Sequence, residues 1–275
     1  MGKADIKKID LNKADMHMHT SCSDGLLTPG EIVEMAKHKG LQTIAITDHD
    51  LIEGIDEALS VAKEIGGITI IPGIELSTEG PGCTELHILG YFIDPDNAEL
   101  NDAIASLKKS RKDRNERLFA ALRSQGIQIC EKDFDKVSAD GYIGKPMIAK
   151  KMIEKGYVSN IPQAFEKGKY LESPLIRAVK KEKLSVEEAL RLIITSGGDP
   201  VLAHPMKIRN IGLRGSLEFW ENLDHLLKNL SSWGLVGLEC FYPDHTAAEI
   251  GSLLSMAEKY DLLVTKGSDY HGYDY

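Results

Sequence analysis

Met16-His17-Met18-His19-Thr20, followed by Ser23-Asp24-Gly25, carries the first chemistry legible in the chain. Ala14 to His19 alternates short or apolar residues with polar ones, the pattern of a strand, on which residues two apart share a face. His17 and His19 are therefore expected side by side, about 7 Å apart along the backbone, where two imidazoles can share a metal ion. The Ser-Cys-Ser-Asp-Gly turn can bring Asp24 back over the strand end. By itself an HxH pair does not separate a ligand pair from two incidental histidines. The rest of the chain adds to it. Asp48 and His49, Glu75, His204, Asp269 and His271 each fall at or just beyond the C-terminal end of an apolar run, and His87 lies on a further run. In a parallel barrel those ends meet at one face, where active sites are built. Imidazoles and carboxylates gathered on one rim imply more than one divalent cation, and clustered cations activate water and clamp phosphoryl oxygens. His38 and His225 fall within helical stretches and are read as surface residues. Cys22 could ligate a soft metal, but its oxygen-rich surroundings favour packing.

To bring these residues together, strands must alternate with helices. Thr28-Pro29-Gly30-Glu31 reads as a capped helix start, with Gly40 as its stop. Thr43 to His49 reads as a second strand, 54–65 as a helix, Ile68 to Ile74 as a third strand ending in Glu75, and Glu85 to Phe92 as a fourth. This alternation predicts parallel βαβ units. It stops between 96 and 184, which reads as helical. Leu100, Ile104 and Leu107 form an apolar stripe there, and the charged run Arg111 to Arg117 is expected to be a solvated helix face. A further helix is expected from Lys145 to Lys155. The alternation resumes at Ser185-Val186-Glu187-Glu188, read as a second capping box. A strand from Pro200 to Ala203 then runs into His204, a helix near 216–231 precedes the strand Leu235 to Phe241, and Thr246 caps another helix. The last strand, Leu262 to Thr265, runs into Asp269 and His271. The prediction is an α/β fold with about seven strands in a closed or nearly closed barrel. Residues 1–95 and 185–275 would form the barrel, and 96–184 a helical insertion. Because that insertion follows the strand carrying His87, its root is expected beside the metals, as a cap over the barrel mouth that selects the substrate.

Composition bounds the partners. The 275 residues are 42% hydrophobic and 27% charged, with a net charge of −9 that speaks against general attraction to nucleic acid or anionic membrane. A local basic patch could still hold phosphates. The four cysteines form no CxxC and read as reduced thiols of a cytoplasmic protein. No apolar run is long enough to span a membrane, and Met1 to Lys13 lacks a hydrophobic signal core. No obligate protein partner is indicated.

Taken together, His17-Met18-His19-Thr20 with Asp24, Thr47-Asp48-His49, Gly73-Ile74-Glu75, His87, Ala203-His204-Pro205 and Ser268-Asp269-Tyr270-His271 resemble the motifs of the PHP (polymerase and histidinol phosphatase) superfamily. The match runs in order over roughly 14–93 and 197–272. The resemblance implies a distorted seven-stranded (β/α)7 TIM-like barrel holding two to three divalent ions, Mn2+, Fe2+ or Zn2+. It implies one ion held by His17, His19, Glu75 and Asp269, a second by Glu75, His87 and His204, and a third by Asp24, His49 and His271. Hydrolysis would proceed through a hydroxide shared between ions, with Asp24, His49, Glu75 and the substrate-facing His245 in catalytic roles. The branch it most resembles comprises bacterial nucleotide phosphoesterases acting on 3′,5′-bisphosphonucleotides and, in some members, on short RNA from the 5′ end. The expected activity is therefore hydrolysis of a phosphate monoester of a nucleotide or related small molecule. Alternatives are a histidinol-phosphate-type phosphatase, a 5′–3′ exonuclease on short RNA, and a non-catalytic metal-binding accessory domain.

Gly144-Lys145-Pro146-Met147-Ile148-Ala149 resembles that branch's Arg-Pro-His-Ile-Ala segment, which contributes to substrate binding. Lys145 stands for Arg and keeps the charge without the bidentate fork. Met147 stands for His and can donate neither a hydrogen bond nor a proton. Lys145, Arg177 and His245 are the expected substrate contacts.

Overall fold

In the computed structural model, which describes residues 6–134, 143–180 and 183–272, the barrel strands are short and apolar because most of them are covered on both faces. The strands are β1 (Ala14–Met18), β2 (Thr43–Ile46), β3 (Thr69–Gly80), β4 (Thr84–Tyr91), β5 (Leu184–Ser185), β6 (Asp199–Leu202), β7 (Gly237–Phe241) and β8 (Leu263–Lys266). They pair in the order β1-β2-β3-β4-β6-β7-β8, with β5 attached to β3. Beyond β8, Tyr270 bridges Met18, and the His19 N–H donates to the Tyr270 carbonyl at 2.9 Å, which nearly closes the ring. Met16, Ala45, Ile71, Leu89, Val201 and Leu263 form an inner cluster, closed at one end by Ile6 and Leu11. Ile44, Ile46, Ile70 and Leu238 face the other way, into the layer of helices.

Those helices are α1 (Pro29–His38), α2 (Gly54–Ile65), α3 (Ala98–Ser124), α4 (Lys145–Glu154), α5 (Ile161–Ala164), α6 (Pro174–Arg177), α7 (Val186–Thr195), α8 (Leu217–Ser232) and α9 (Ala247–Lys259). Thr28 with Glu31, and Thr246 with Glu249, close full capping boxes at α1 and α9. At α7 Ser185 accepts from the Glu188 N–H, but no return bond from Glu188 completes the expected box.

The expectation of parallel pairing throughout is overturned at β4, which runs antiparallel to both β3 and β6. Only Pro81–Cys83, a short helical turn, separates β3 from β4, and a parallel crossover needs a dozen residues or more. The same pairing lengthens β3. The strand does not end at Glu75, which pairs with Leu89, but continues to Gly80 opposite Thr84.

The reversal moves the root of the insertion. Tyr91, the last residue of β4, pairs with Asp199, the first of β6. The chain therefore leaves β4 at the barrel end opposite to His204, not beside it as the sequence suggested. The 27 residues of α3 carry it back, a rise of about 40 Å. Leu100, Ile104 and Leu107 sit in the barrel's outer core, whereas Leu118, Phe119 and Leu122 join a second core with Ile148, Met152, Leu171 and Ile176. Between the two, Arg111 is only 3% exposed and Asn115 only 4%. The charged run is thus not a wholly solvated face, because the helix passes between barrel rim and insertion at that level. β5 pairs with Thr78 and Glu79 near the far end of β3, so the chain rejoins the barrel on the histidine-bearing side. Residues 135–142 and 181–182 of the expected insertion lie outside the described residues.

Candidate metal centre

A single buried carboxylate organises the site. Glu75 Oε1 lies 3.0 Å from His87 Nδ1, 3.1 Å from His204 Nε2 and 3.3 Å from His17 Nε2. Its Oε2 lies 2.8 Å from His49 Nδ1 and 3.3 Å from His19 Nε2. Asp269 Oδ1 faces His19 Nε2 at 3.2 Å and His17 Nε2 at 3.5 Å. Asp24 lies 3.3 Å from His271 Nε2, 3.8 Å from His19 Nδ1 and 3.9 Å from His49 Nε2. His19 and His49 each stand between Glu75 and Asp24, one ring nitrogen toward each.

The local backbone explains the convergence. His17 and His19 alternate onto one face at the end of β1, and their ring centroids are 5.1 Å apart. His204 and Asp269 sit just beyond the ends of β6 and β8 with φ of 25° and 55°, a left-handed conformation uncommon outside glycine. Strain of this kind persists where the surrounding structure holds it, and it concentrates at functional sites. Gly267 lets β8 approach: a Cβ there would lie 2.2 Å from His17 Cβ and 2.4 Å from Glu239 Oε1.

Among the described residues, three sets of donor atoms, each within 4.8 Å of one another, could hold an ion: His17, His19, Glu75 and Asp269; His49, Glu75 and His87; and His19, Asp24, His49 and His271. His204 reaches the same Glu75 oxygen as His87. His17 Nε2, both His19 nitrogens and Glu75 Oε2 are buried, yet none makes a well-directed hydrogen bond. Buried polar atoms are ordinarily satisfied, so unsatisfied lone pairs aimed at common points fit cations, and mixed imidazole–carboxylate donors suit divalent ones.

Electrostatics agree. Burial works against ionisation of Glu75, but His49, His17 and His87 hold its carboxyl well below the usual range. Asp269 and Asp24 are likewise held low against burial, Asp269 mainly by His17 and Asp24 mainly by His49. Burial lowers His49, but Glu75 and Asp24 outweigh it and hold the pKa up at about 9. His19 goes the other way, pushed down to about 4 by burial and by His271 and His49. Metal binding must displace the proton that the raised pKa keeps on His49. Apparent metal affinity is therefore expected to rise between pH 6 and pH 8, by up to about tenfold per unit for each proton released. Chelator competition at the two pH values checks this; equal affinities would mean that no proton is exchanged.

Several supporting residues escaped the sequence reading. Glu239, fully buried in β7, accepts from His17 Nδ1 at 3.1 Å and from the His204 N–H at 2.7 Å. It thereby leaves His17 Nε2 facing Glu75. Its signal was a lone acid between Leu238 and Cys240 in an otherwise apolar strand, which only a buried partner explains. Asp48, which the sequence already placed beside His49, lies behind the candidate ligands and accepts from the Thr20 N–H and from the hydroxyls of Thr20 and Ser23, fixing the turn that carries Asp24. Tyr242 and Lys207 donate to Asp269 Oδ2 at 2.9 and 3.1 Å, leaving Oδ1 for the histidines.

The expected substrate contacts have protein partners of their own. Lys145 donates to the Leu171 carbonyl and to Glu172, and Arg177 lies 3.9 Å from the same Glu172 carboxylate. His245 is buried with Nδ1 on the Cys240 carbonyl, and its ring packs on Tyr242, which in turn packs on His204. His38 and His225 are exposed, as expected.

Comparison with known proteins bears on the family. Residues 15–174 match the PHP domain. The chain is 34% identical to a 5′-3′ exoribonuclease of Haemophilus influenzae, over 94% of this chain and 90% of that one. It is 29% identical to the 3′,5′-nucleoside bisphosphate phosphatase of Chromobacterium violaceum, over 94% and 86%. A solved structure from Bifidobacterium adolescentis, described as a candidate metal-dependent phosphoesterase, superposes with a TM-score of 0.80 at 31% identity, covering 94% of this chain and 87% of that one. With the domain matched over more than half its length and a rim of histidines and carboxylates in place, the chain belongs to the PHP domain family.

Proposed function

We propose that the chain is a metal-dependent phosphoesterase that removes a phosphate from a nucleotide or a related small phosphate ester. The observation that carries this is Glu75, a buried carboxylate with five imidazoles within 3.3 Å, flanked by Asp24 and Asp269. Two to three divalent ions, Mn2+, Fe2+ or Zn2+, would be held by His17, His19, Glu75 and Asp269, by Glu75, His87 and His204, and by Asp24, His49 and His271. When bound they would supply an activated water and neutralise phosphoryl charge. Asp269 is oriented by Tyr242 and Lys207, and Lys207, partly exposed at the rim, adds a positive charge where a phosphate would arrive. Free thiols at Cys130 and Cys240 support a reducing, cytoplasmic setting. Among the described residues no helix is long and apolar enough to cross a membrane.

The test is phosphate release by metal-replete protein from 3′,5′-bisphosphonucleotides, mononucleotides, histidinol phosphate and p-nitrophenyl phosphate. Release should require metal and stop on chelation; no release from any of them would remove this reading. A second reading, 5′–3′ cleavage of short RNA, is supported by the Haemophilus influenzae relative, and a 5′-phosphorylated oligoribonucleotide in the same panel separates the two.

Residues 96–184 would act as the cap that selects the substrate. Lys150 of α4 feels the Asp24 carboxylate, which supports a position over the site. We expect Lys145→Ala to weaken hydrolysis of a bisphosphorylated nucleotide roughly tenfold more than that of p-nitrophenyl phosphate, the scale of one charge-assisted hydrogen bond. Equal loss for both substrates, measured as kcat/KM, would show that Lys145 reads no second phosphate.

A further inference from the structure

Where α3 crosses the barrel rim, its inward stripe turns from Leu107 to Arg111 before becoming apolar again at Leu118. Among the described residues Arg111 is the one buried lysine or arginine, so its charge needs compensation. Among the described residues it lies against a turn of the barrel. Its guanidinium sits 3.4 Å from the His49 carbonyl, 3.4 Å from the Asp50 carbonyl and 3.4 Å from Asp50 Oδ2. Asp50 is itself a junction. Its N–H donates to the Glu75 carbonyl at 2.9 Å, and its Oδ1 accepts from the Ser77 N–H at 2.8 Å. Its φ of 51° is left-handed, a conformation that aspartate adopts more readily than most non-glycine residues and that makes the turn here sharp.

The turn matters because of the residue before it. His49 has one ring nitrogen 2.8 Å from Glu75 and the other 3.9 Å from Asp24, so a small rotation of the turn would take it away from one of them. β3 holds the turn from the barrel side, through Glu75 and Ser77. Arg111 holds it from the insertion side, on the helix whose far end enters the second core.

We propose that Arg111 is a positioning residue that clamps the His49–Asp50 turn, and through it keeps His49 at the junction of the Glu75 and Asp24 donor sets. The insertion is then tied to the metal centre by its stem as well as lying over it. The proposal rests on reading the cluster as a metal centre, and the metal-binding readout separates the two. The charge at Arg111 is required, because it faces two carbonyls and a carboxylate, and a buried ion pair loses most when one partner alone is removed.

The experiment compares wild type with Arg111→Met, Arg111→Lys and Asp50→Asn in the full chain. Mn2+ binding is measured by competition with a chromophoric chelator, and kcat and KM with p-nitrophenyl phosphate. Folding is followed by circular dichroism and thermal melting. Asp50→Asn keeps the shape and the acceptor for Ser77 and serves if Arg111→Met fails to fold. We expect the weakest-bound ion to dissociate at least tenfold more readily in Arg111→Met and Asp50→Asn. We also expect kcat to fall with KM little changed, excess Mn2+ to recover part of kcat, and Arg111→Lys to be intermediate. Metal affinity and kcat within twofold of wild type in a folded Arg111→Met or Asp50→Asn would overturn the clamp. So would a loss of stability with metal affinity unchanged. No metal binding by wild type would overturn the metal-centre reading itself.

Discussion

Glu75→Gln is expected to lower kcat/KM by roughly a thousandfold or more, about 4 kcal/mol of transition-state stabilisation. Both Glu75 oxygens are engaged, with three imidazoles on one and two on the other. Replacing one oxygen by an amide NH2 points a donor at nitrogens that must themselves present lone pairs to a cation. Two of the three donor sets include Glu75, whereas Asp24 belongs to one. Asp24→Asn should therefore cost less, roughly tenfold to a hundredfold, and Glu75→Gln should bind fewer ions per chain. Steady-state kinetics with elemental analysis of the same preparations decide it. Equal losses in the two variants, with metal content intact, would mean that Glu75 does not bridge.

The second large effect is expected from a residue that touches no ion in this reading. Glu239→Gln should weaken metal binding roughly 10- to 100-fold, the scale for partners that orient metal-bound histidines. The carboxylate sets His17 so that Nδ1 is occupied and Nε2 faces Glu75, and it also holds the His204 N–H. Glu239→Ala should be worse, costing about 3–5 kcal/mol of stability because His17 and a buried N–H lose their acceptor together. Urea unfolding of the metal-free protein measures the second effect, and chelator competition the first. Should Glu239→Gln bind metal within twofold of wild type, packing rather than this hydrogen bond orients His17.

How much of this was legible in the sequence follows from the range of the forces involved. The identities of the candidate ligands were local. His17 and His19 share a strand face because strand periodicity is two, and His49, His204, Asp269 and His271 follow apolar runs that end where the polarity changes. Capping at Thr28 and Thr246 is likewise a matter of four adjacent residues, and it forms as read. At Ser185 the hydroxyl makes its bond, while the Glu188 carboxylate, exposed on α7, makes no return bond to complete the box.

Other features depended on partners distant in the chain. β4 is as apolar as a parallel strand, so its direction was not written in its composition. A connection of three residues, too short for a crossover, decided it, and that reversal sent the insertion's root to the far end of the barrel. Arg111 belongs to a run whose composition is that of a solvated helix, and only the path of α3 between two cores buries it against His49 and Asp50. Glu239 stood in the sequence as an unexplained acid in a strand, and its partner, His17, lies 222 residues away. The residue types and their local periodicity determined the donors and most of the strands and helices. Which donor faces which, and what holds each one in place, was decided by tertiary packing, since a buried charge can be satisfied only by a group that the fold brings to it.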